Sequence, residues 1–382
     1  MKIYKMYFYS FIDTFFIYIP YLALFLTVNK GLSNNQIAIV LSGFSFSVFI
    51  FEIPTGFIAD KIGAKQSIVI GFCIRLTGLV ILTFANSFIN LVISEVLLGL
   101  GATFCSGADQ SLLYKIVNTE KENYGKIVSN YYTISWIGLT VSFLCGQVLA
   151  MISYNQIFYI SIVFTFIGLI LSITLPNVKT LEKAHDSLDI IKYAIGDILN
   201  NKKLTAILLL GSFILAVLAT SYLLFQPYLN EINMANKNNG LMFFFVTLFA
   251  IFGSKFQPYI AKKSSSINNI SLLFLLSITI VVIGISSGFI VIVFFCLFRF
   301  IWGITSPYIS KEINEFITKE QSRSTILSIQ SLLSNLMQGL FLLFAGSIKG
   351  TISSKLLFLG LIVFILGIIM LIRTRKLTIA ST

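Results

Sequence analysis

The sequence predicts an all-α membrane protein of twelve spanning helices arranged as two six-helix pseudo-repeats. Three observations predict it. Of 382 residues, 57% are hydrophobic and only 11% charged, too little charge to cover a water-soluble surface of that size. Twelve apolar runs have the length of about 20 residues that a helix needs to cross a bilayer. Lysine and arginine alternate between the loops: one set of segments holds 20 of them and the alternate set only 4. That bias places both termini and every second loop in the cytoplasm of a multi-pass cell-membrane protein.

The runs fall at about 6–28, 36–58, 66–85, 88–111, 127–150, 156–175, 204–228, 240–261, 268–287, 289–310, 324–347 and 355–373. They are continuous, not short and alternating, so helices are predicted over a membrane barrel. Met1–Lys5 leads into the first run with no small-residue cleavage site, which reads as a retained span and not a removed signal peptide. Glu52 and Pro54 are expected to end the second, because proline removes a backbone donor. The fourth contains "LLGLGATFCSGADQSLLY", whose small residues let helices approach closely.

The polar stretch Asn177–Lys203 divides the chain. It gives an amino-terminal bundle (1–176), a linker (177–203) and a carboxy-terminal bundle (204–382). Leu188, Ile191, Ile195, Ile198 and Leu199 recur at helical spacing, so part of the linker is a candidate amphipathic helix on the inner surface, with a plain solvated linker as the alternative. "TEKENYGKIVS" after the fourth run and "TKEQSRSTILS" after the tenth hold equivalent places, a faint sign of a parallel repeat.

Composition also excludes several function classes. The net charge of +12 is spread over short loops and makes no basic stripe for nucleic acid. The four cysteines, Cys73, Cys105, Cys145 and Cys296, lie in apolar runs without metal-binding or disulfide spacing. The single histidine, His185, is in the linker, which leaves no material for a catalytic triad or a metal cluster. No phosphate-binding G-x-x-x-x-G-K-[ST] occurs. The chain reads as neither an enzyme nor a cofactor or metal protein.

Charges inside apolar runs are the informative residues, because each costs at least about 2.5–3.5 kcal/mol at the bilayer centre and so usually faces a partner or a water-filled cavity. Asp13 and Glu52, in the half of the membrane nearer the cytoplasm, are candidates for proton binding and release, with an interhelical salt bridge as the equal alternative. Glu95 and Arg299 are candidates for a cavity role. Arg75, Asp109 and Lys255 are candidates for structural ion pairs.

The stretch Gly56-Phe-Ile-Ala-Asp60-Lys61-Ile-Gly63-Ala-Lys65 resembles the signature loop Gly-x-x-x-Asp-(Arg/Lys)-x-Gly of the major facilitator superfamily. The twelve-span plan and long central loop are similar to that family along the whole chain, and "FEIPTG", "SGADQSLLY" and "RSTILSIQSLLS" resemble its bacterial drug and small-solute exporters. The resemblance implies that Gly56, Asp60, Lys61, Gly63 and Lys65 form a conformational latch that locks the outward-open form. Plain positive-inside anchoring is the alternative for the two lysines. It also implies that spans one, four, seven and ten line the site. Phe104 and Trp302 are then candidate lining residues, together with Phe11, Phe15, Tyr18, Phe213, Tyr222, Phe225 and Tyr308. Three departures stand out. Glu95 occupies a region where many family exporters carry arginine, span five lacks the antiporter proline, and "GSKFQPYIAKK" from Gly253, read as the second-half counterpart of the latch, has Gln257 where an acid is expected.

The expected function is therefore a monomeric secondary transporter that moves a small-molecule substrate by alternating access and contacts membrane lipid. Proton-coupled export of an amphiphile such as a drug or antibiotic is the first expectation. Transport of a sugar, organic anion or peptide is the alternative within the fold. A scramblase or membrane enzyme is the alternative outside it.

Overall fold

The computed structural model describes residues 2–120, 124–177, 187–234, 238–260, 265–317 and 323–379. His185, the start of the linker and much of the two repeat segments lie outside these residues. Among those described, ten helices are long and apolar enough to cross a membrane, and two shorter apolar helices, Ile19–Val28 and Ile270–Ile285, complete the twelve. Large exposed apolar side chains such as Ile50, Phe84, Val148, Ile170, Phe252 and Leu361 cover the outside, the surface a lipid solvent requires.

The first span is broken. Helix α1 (Lys2–Asp13) stops, a short 3-10 turn covers Ile19–Tyr21, and α2 (Leu22–Val28) resumes. Pro20 disfavours helix at the residue before it and has no N–H to give. The Thr14 hydroxyl reaches instead to the Ser10 carbonyl at 3.0 Å and across to the Ser135 carbonyl at 2.8 Å.

Helix α3 (Asn34–Ile62) begins with a capping box, in which Ser33 and Gln36 each satisfy the other's backbone N–H. It runs straight through Pro54, contrary to the expected end there. Thr55 helps to hold this turn, donating to the Phe51 carbonyl at 2.8 Å. Gly63 alone separates α3 from α4 (Ala64–Phe84). Its φ of 96° and ψ of 149° suit only glycine. The signature stretch is thus two helices meeting at one residue, not a loop.

The fourth span is broken too, into α5 (Phe88–Cys105) and α6 (Ala108–Glu120), with Gly107 at φ 74° making the joint. Helices α7 (Tyr124–Ile152) and α8 (Tyr154–Thr174) complete the first group. The linker contributes α9 (Ser187–Asn200), which packs on α10 and α14 and buries Ala194 while leaving Tyr193 and Leu199 exposed. The second group is α10 (Lys202–Glu231), α11 (Asn239–Ile260), α12 (Ser265–Ile285), α13 (Phe289–Phe316), α14 (Arg323–Ser347) and α15 (Ile352–Ile379).

The two groups pack alike. In the first, α3 lies on α5, α4 on α8 and α1 on α7; in the second, α11 lies on α13, α12 on α15 and α10 on α14. Between the groups, α3 meets α14 and α7 meets α11, again an exchange of equivalent partners. This is the pseudo-repeat that the paired polar segments hinted at.

Candidate transport pathway

Small residues set the register of each helix pair. Gly99 of α5 lies against the Phe44 carbonyl of α3, so close that a Cβ there would come within 2.6 Å of it. Gly303 of α13 lies against the Ala250 carbonyl of α11 in the same way. One turn along, the Ser47 hydroxyl donates to the Val96 carbonyl at 2.7 Å, while Gly253 lies against the Phe300 carbonyl. Residues 44, 47, 96 and 99 therefore correspond to 250, 253, 300 and 303. Gly253 is the counterpart of Ser47, inside the helix pair, and not of Gly56. The comparison of "GSKFQPYIAKK" with the latch is corrected accordingly.

The same register puts Glu95 and Arg299 in corresponding places, each four residues before its packing glycine. Both are buried and neither has an ionic partner among the described residues; the ion pairs found there are Asp13–Arg75 and Lys311–Glu315. Glu95 Oε1 and Arg299 Nε are fully enclosed without a hydrogen-bond partner. Each charge has a tyrosine from the first span of its own group within electrostatic reach. Tyr18, at the break before α2, lies within electrostatic reach of Glu95. The Arg299 guanidinium carbon stands 4.7 Å from the Tyr222 ring centre and 4.9 Å from that of Trp302. A wider aromatic cluster supports these rings: Tyr222 meets Trp302 edge to face, and Phe225 stacks on Phe295.

Asp13 and Arg75, assigned separately on sequence to the pathway and to a structural pair, join each other at 2.6 Å. Arg75 also lies over Phe72 at 5.5 Å. Asp109, at the start of α6, accepts from the Tyr131 hydroxyl at 2.8 Å and from the Gln110 amide at 2.7 Å. These residues link α1, α4, α6 and α7 within one group. Glu52 is half-buried and its nearest hydrogen bond is a long one of 3.4 Å from Ser106, beside the α5–α6 break. Phe104 is buried, with its carbonyl taking the Ser67 hydroxyl. Lys255 is exposed near the end of α11 and enters no ion pair among the described residues.

In the latch stretch, Gly56, Asp60 and Lys61 are exposed, and nothing lies within 4 Å of where a Gly56 Cβ would be. Gly63 and Lys65 are half-buried at the joint.

The two groups are tied together at the other end of the bundle. Gln226 of α10 donates to the Ile19 carbonyl at 2.5 Å and accepts from the Ala23 amide at 2.9 Å. Tyr21 accepts from the Gly240 amide at 2.8 Å, Gln147 accepts from the Leu241 amide at 3.0 Å, and Asn230 donates to Thr27 at 3.1 Å. Asn35 donates to the Ile348 carbonyl and accepts from the buried Lys355. Sequence reasoning missed this seal because it followed charges. The available signal was amides inside apolar runs, as in "FLCGQVLA" and "LLFQPYL", where an unpaired polar group is costly.

Two six-helix groups built from corresponding helix pairs are the plan of a membrane transporter. The chain belongs to the Major Facilitator Superfamily, whose family model matches residues 6–341. It is 23% identical over 356 residues to YxaM of Bacillus subtilis (strain 168), described as an uncharacterized MFS-type transporter, with 89% of this chain and 87% of that one covered. It is 25% identical over 167 residues to the inner membrane transport protein YajR of Escherichia coli (strain K12), covering 43% of this chain and 36% of that one. Among solved structures, the nucleoside transporter NupG superposes with a TM-score of 0.78 at 12% identity, over 97% of each chain. The POT family transporter PepTSo superposes with a TM-score of 0.78 at 14% identity, over 99% of this chain and 98% of that one. At such identities the likeness shows the fold alone.

Proposed function

We propose that this protein exports an amphiphilic small molecule across the cell membrane in exchange for protons. The carrying observation is Glu95: a buried carboxyl, one oxygen fully enclosed without a partner, on α5 where it packs against α3. A carboxyl so placed is best satisfied by an arriving proton or cationic group, and the two compete for it. That competition is what couples an ion to a solute.

The lysine and arginine bias supports cytoplasmic termini. On that orientation the amide seal is external and this is the inward-facing form, with bundles 1–176 and 204–382 rocking as a monomer about the linker 177–203. The free space at Gly56 fits a latch that engages only in the opposite state. The aromatic walls suit an apolar solute body.

Proteoliposomes test the proposal. Efflux of a panel of amphiphilic dyes and antibiotics should accelerate under an imposed pH gradient. Glu95→Gln should remove the gradient dependence while leaving exchange down a solute gradient measurable. Gradient-independent flux in the unmodified protein would overturn the coupling.

A further inference from the structure

The second unpartnered charge says what else the solute carries. The Arg299 guanidinium carbon lies over the Tyr222 ring at 4.7 Å and over the Trp302 ring at 4.9 Å, two rings that stand at 89° to each other. Cation–π contact offsets part of the cost of the charge but supplies no strong acceptor for its N–H groups. The enclosed Nε has none, and no carboxylate of the described residues pairs with the group. A buried, unpaired guanidinium is expensive to keep in a membrane protein. A carboxylate or phosphate meets that need, accepting two parallel hydrogen bonds from the planar fork.

Its place supports a role in the pathway. By helix register, Arg299 occupies in the second group the position that Glu95 occupies in the first, four residues before Gly303 as Glu95 is before Gly99. Arg299 lies over Tyr222, a tyrosine of the first span of its group. Asp13 and Arg75, by contrast, neutralise each other inside one group.

We propose that Arg299, held over the Tyr222 and Trp302 rings, is the subsite for an oxyanion of the transported solute, so that the substrates are amphiphiles bearing a carboxylate or a phosphate. The proposal rests on the reading of this interior as the transport pathway. Glu95 then serves the proton or a cationic group at the corresponding place on the other wall.

The protein carries its own reporter. It has two tryptophans, Trp136 and Trp302, and Trp136 lies exposed on the outside of α7. In a Trp136→Phe background, emission comes from Trp302 alone, beside Arg299. Purified protein is titrated with 4-phenylbutyrate, phenethyl phosphate and the uncharged 4-phenylbutyramide. At least one of the two anions should change the emission saturably, with a midpoint at least tenfold lower than the amide. Arg299→Gln should abolish that preference. Arg299→Lys, which keeps a cation but loses the planar fork, should retain part of it and serves if the glutamine variant does not fold. Equal midpoints for anions and amide, no saturable response to either anion, or an anion preference surviving in Arg299→Gln would each overturn the proposal. Proton coupling at Glu95 is read separately in proteoliposomes, so either reading can fail while the other stands.

Discussion

Gln226 completes the backbone of a helix in the other half of the molecule. Its side-chain amide accepts from the Ala23 N–H, left over at the start of α2, and donates to the Ile19 carbonyl, which also takes the Leu22 N–H of the 3-10 turn. A broken helix inside a membrane must find such partners. Here they come from the opposite six-helix group, so the break and the seal are one feature. Separating the groups at this end strips the Ala23 N–H of its acceptor.

Gln226→Leu should therefore weaken the seal. Leaving the buried Ala23 N–H unpaired costs about 1–3 kcal/mol, enough to shift a two-state equilibrium by about a factor of ten. Hydrogen exchange read by mass spectrometry should speed up in peptides covering Leu22–Val28 and around Gly240. Peptides covering Gly56–Lys65, at the other end, should not speed up with them. Unchanged exchange at the sealed end would show that Gln226 does not hold it.

Asp13 and Arg75 make a second relationship open to test. Removing one partner of a buried ion pair strands the other, at a cost of about 3–5 kcal/mol. Asp13→Asn should lower the melting temperature in detergent markedly, and Asp13→Asn with Arg75→Gln should recover part of the loss. The double-mutant cycle isolates the coupling between the pair. If Asp13 carries protons instead, Asp13→Asn should leave stability nearly unchanged and remove gradient-driven transport.

Much of this molecule was legible in its sequence, and what was hidden has physical reasons. The spans were legible because lipid demands about 20 apolar residues from each. The isolated charges were legible because each is conspicuous against that background. The pairing of Asp13 with Arg75 was not, since contact between α1 and α4 depends on helix rotation, which hydropathy does not record. The break at Thr14–Tyr18 sat in an apolar run that reads as continuous helix, with Pro20 its one marker. Pro54 carried the opposite lesson: the same residue type left α3 intact. The amide seal was hidden because Gln226 and Ile19 are 207 residues apart. The correspondence of Glu95 and Arg299 emerged only from the glycine contacts that fix both registers.

The two glycines of the signature stretch should behave differently. Gly63 joins α3 to α4 at φ 96°, a conformation other residues adopt at a cost of about 1–3 kcal/mol. A Cβ there would also come within 2.9 Å of the Gln66 side chain, which can move aside, so backbone strain is the main term. Gly56 is helical with open space around it. Gly63→Ala should reduce thermal stability and folded yield. Gly56→Ala should leave both nearly unchanged, because alanine is the better helix former. Any transport defect in Gly56→Ala would then report contact with the other group in the opposite state, which is what a latch requires. Wild-type transport by Gly56→Ala would count against the latch at that position.

The packing glycines Gly99 and Gly303 give the sharpest test of the pseudo-repeat. A methyl group on Gly99 would press on the Phe44 carbonyl at 2.6 Å, and one on Gly303 on the Ala250 carbonyl. Both obstacles are helix backbone, which cannot swing away as a side chain can. Overpacking of this kind typically costs about 1–3 kcal/mol. Gly99→Ala and Gly303→Ala should each lower the melting temperature, Gly303→Ala the more, because a Cβ there would sit still closer to the facing carbonyl. Each should also displace the charge four residues away. Gly303→Ala should weaken the Trp302 response to 4-phenylbutyrate, while Gly99→Ala should leave that response in place and disturb gradient coupling through Glu95. Equal effects of the two variants on both readouts would mean that the helix pairs do not act as separate supports for the two charges.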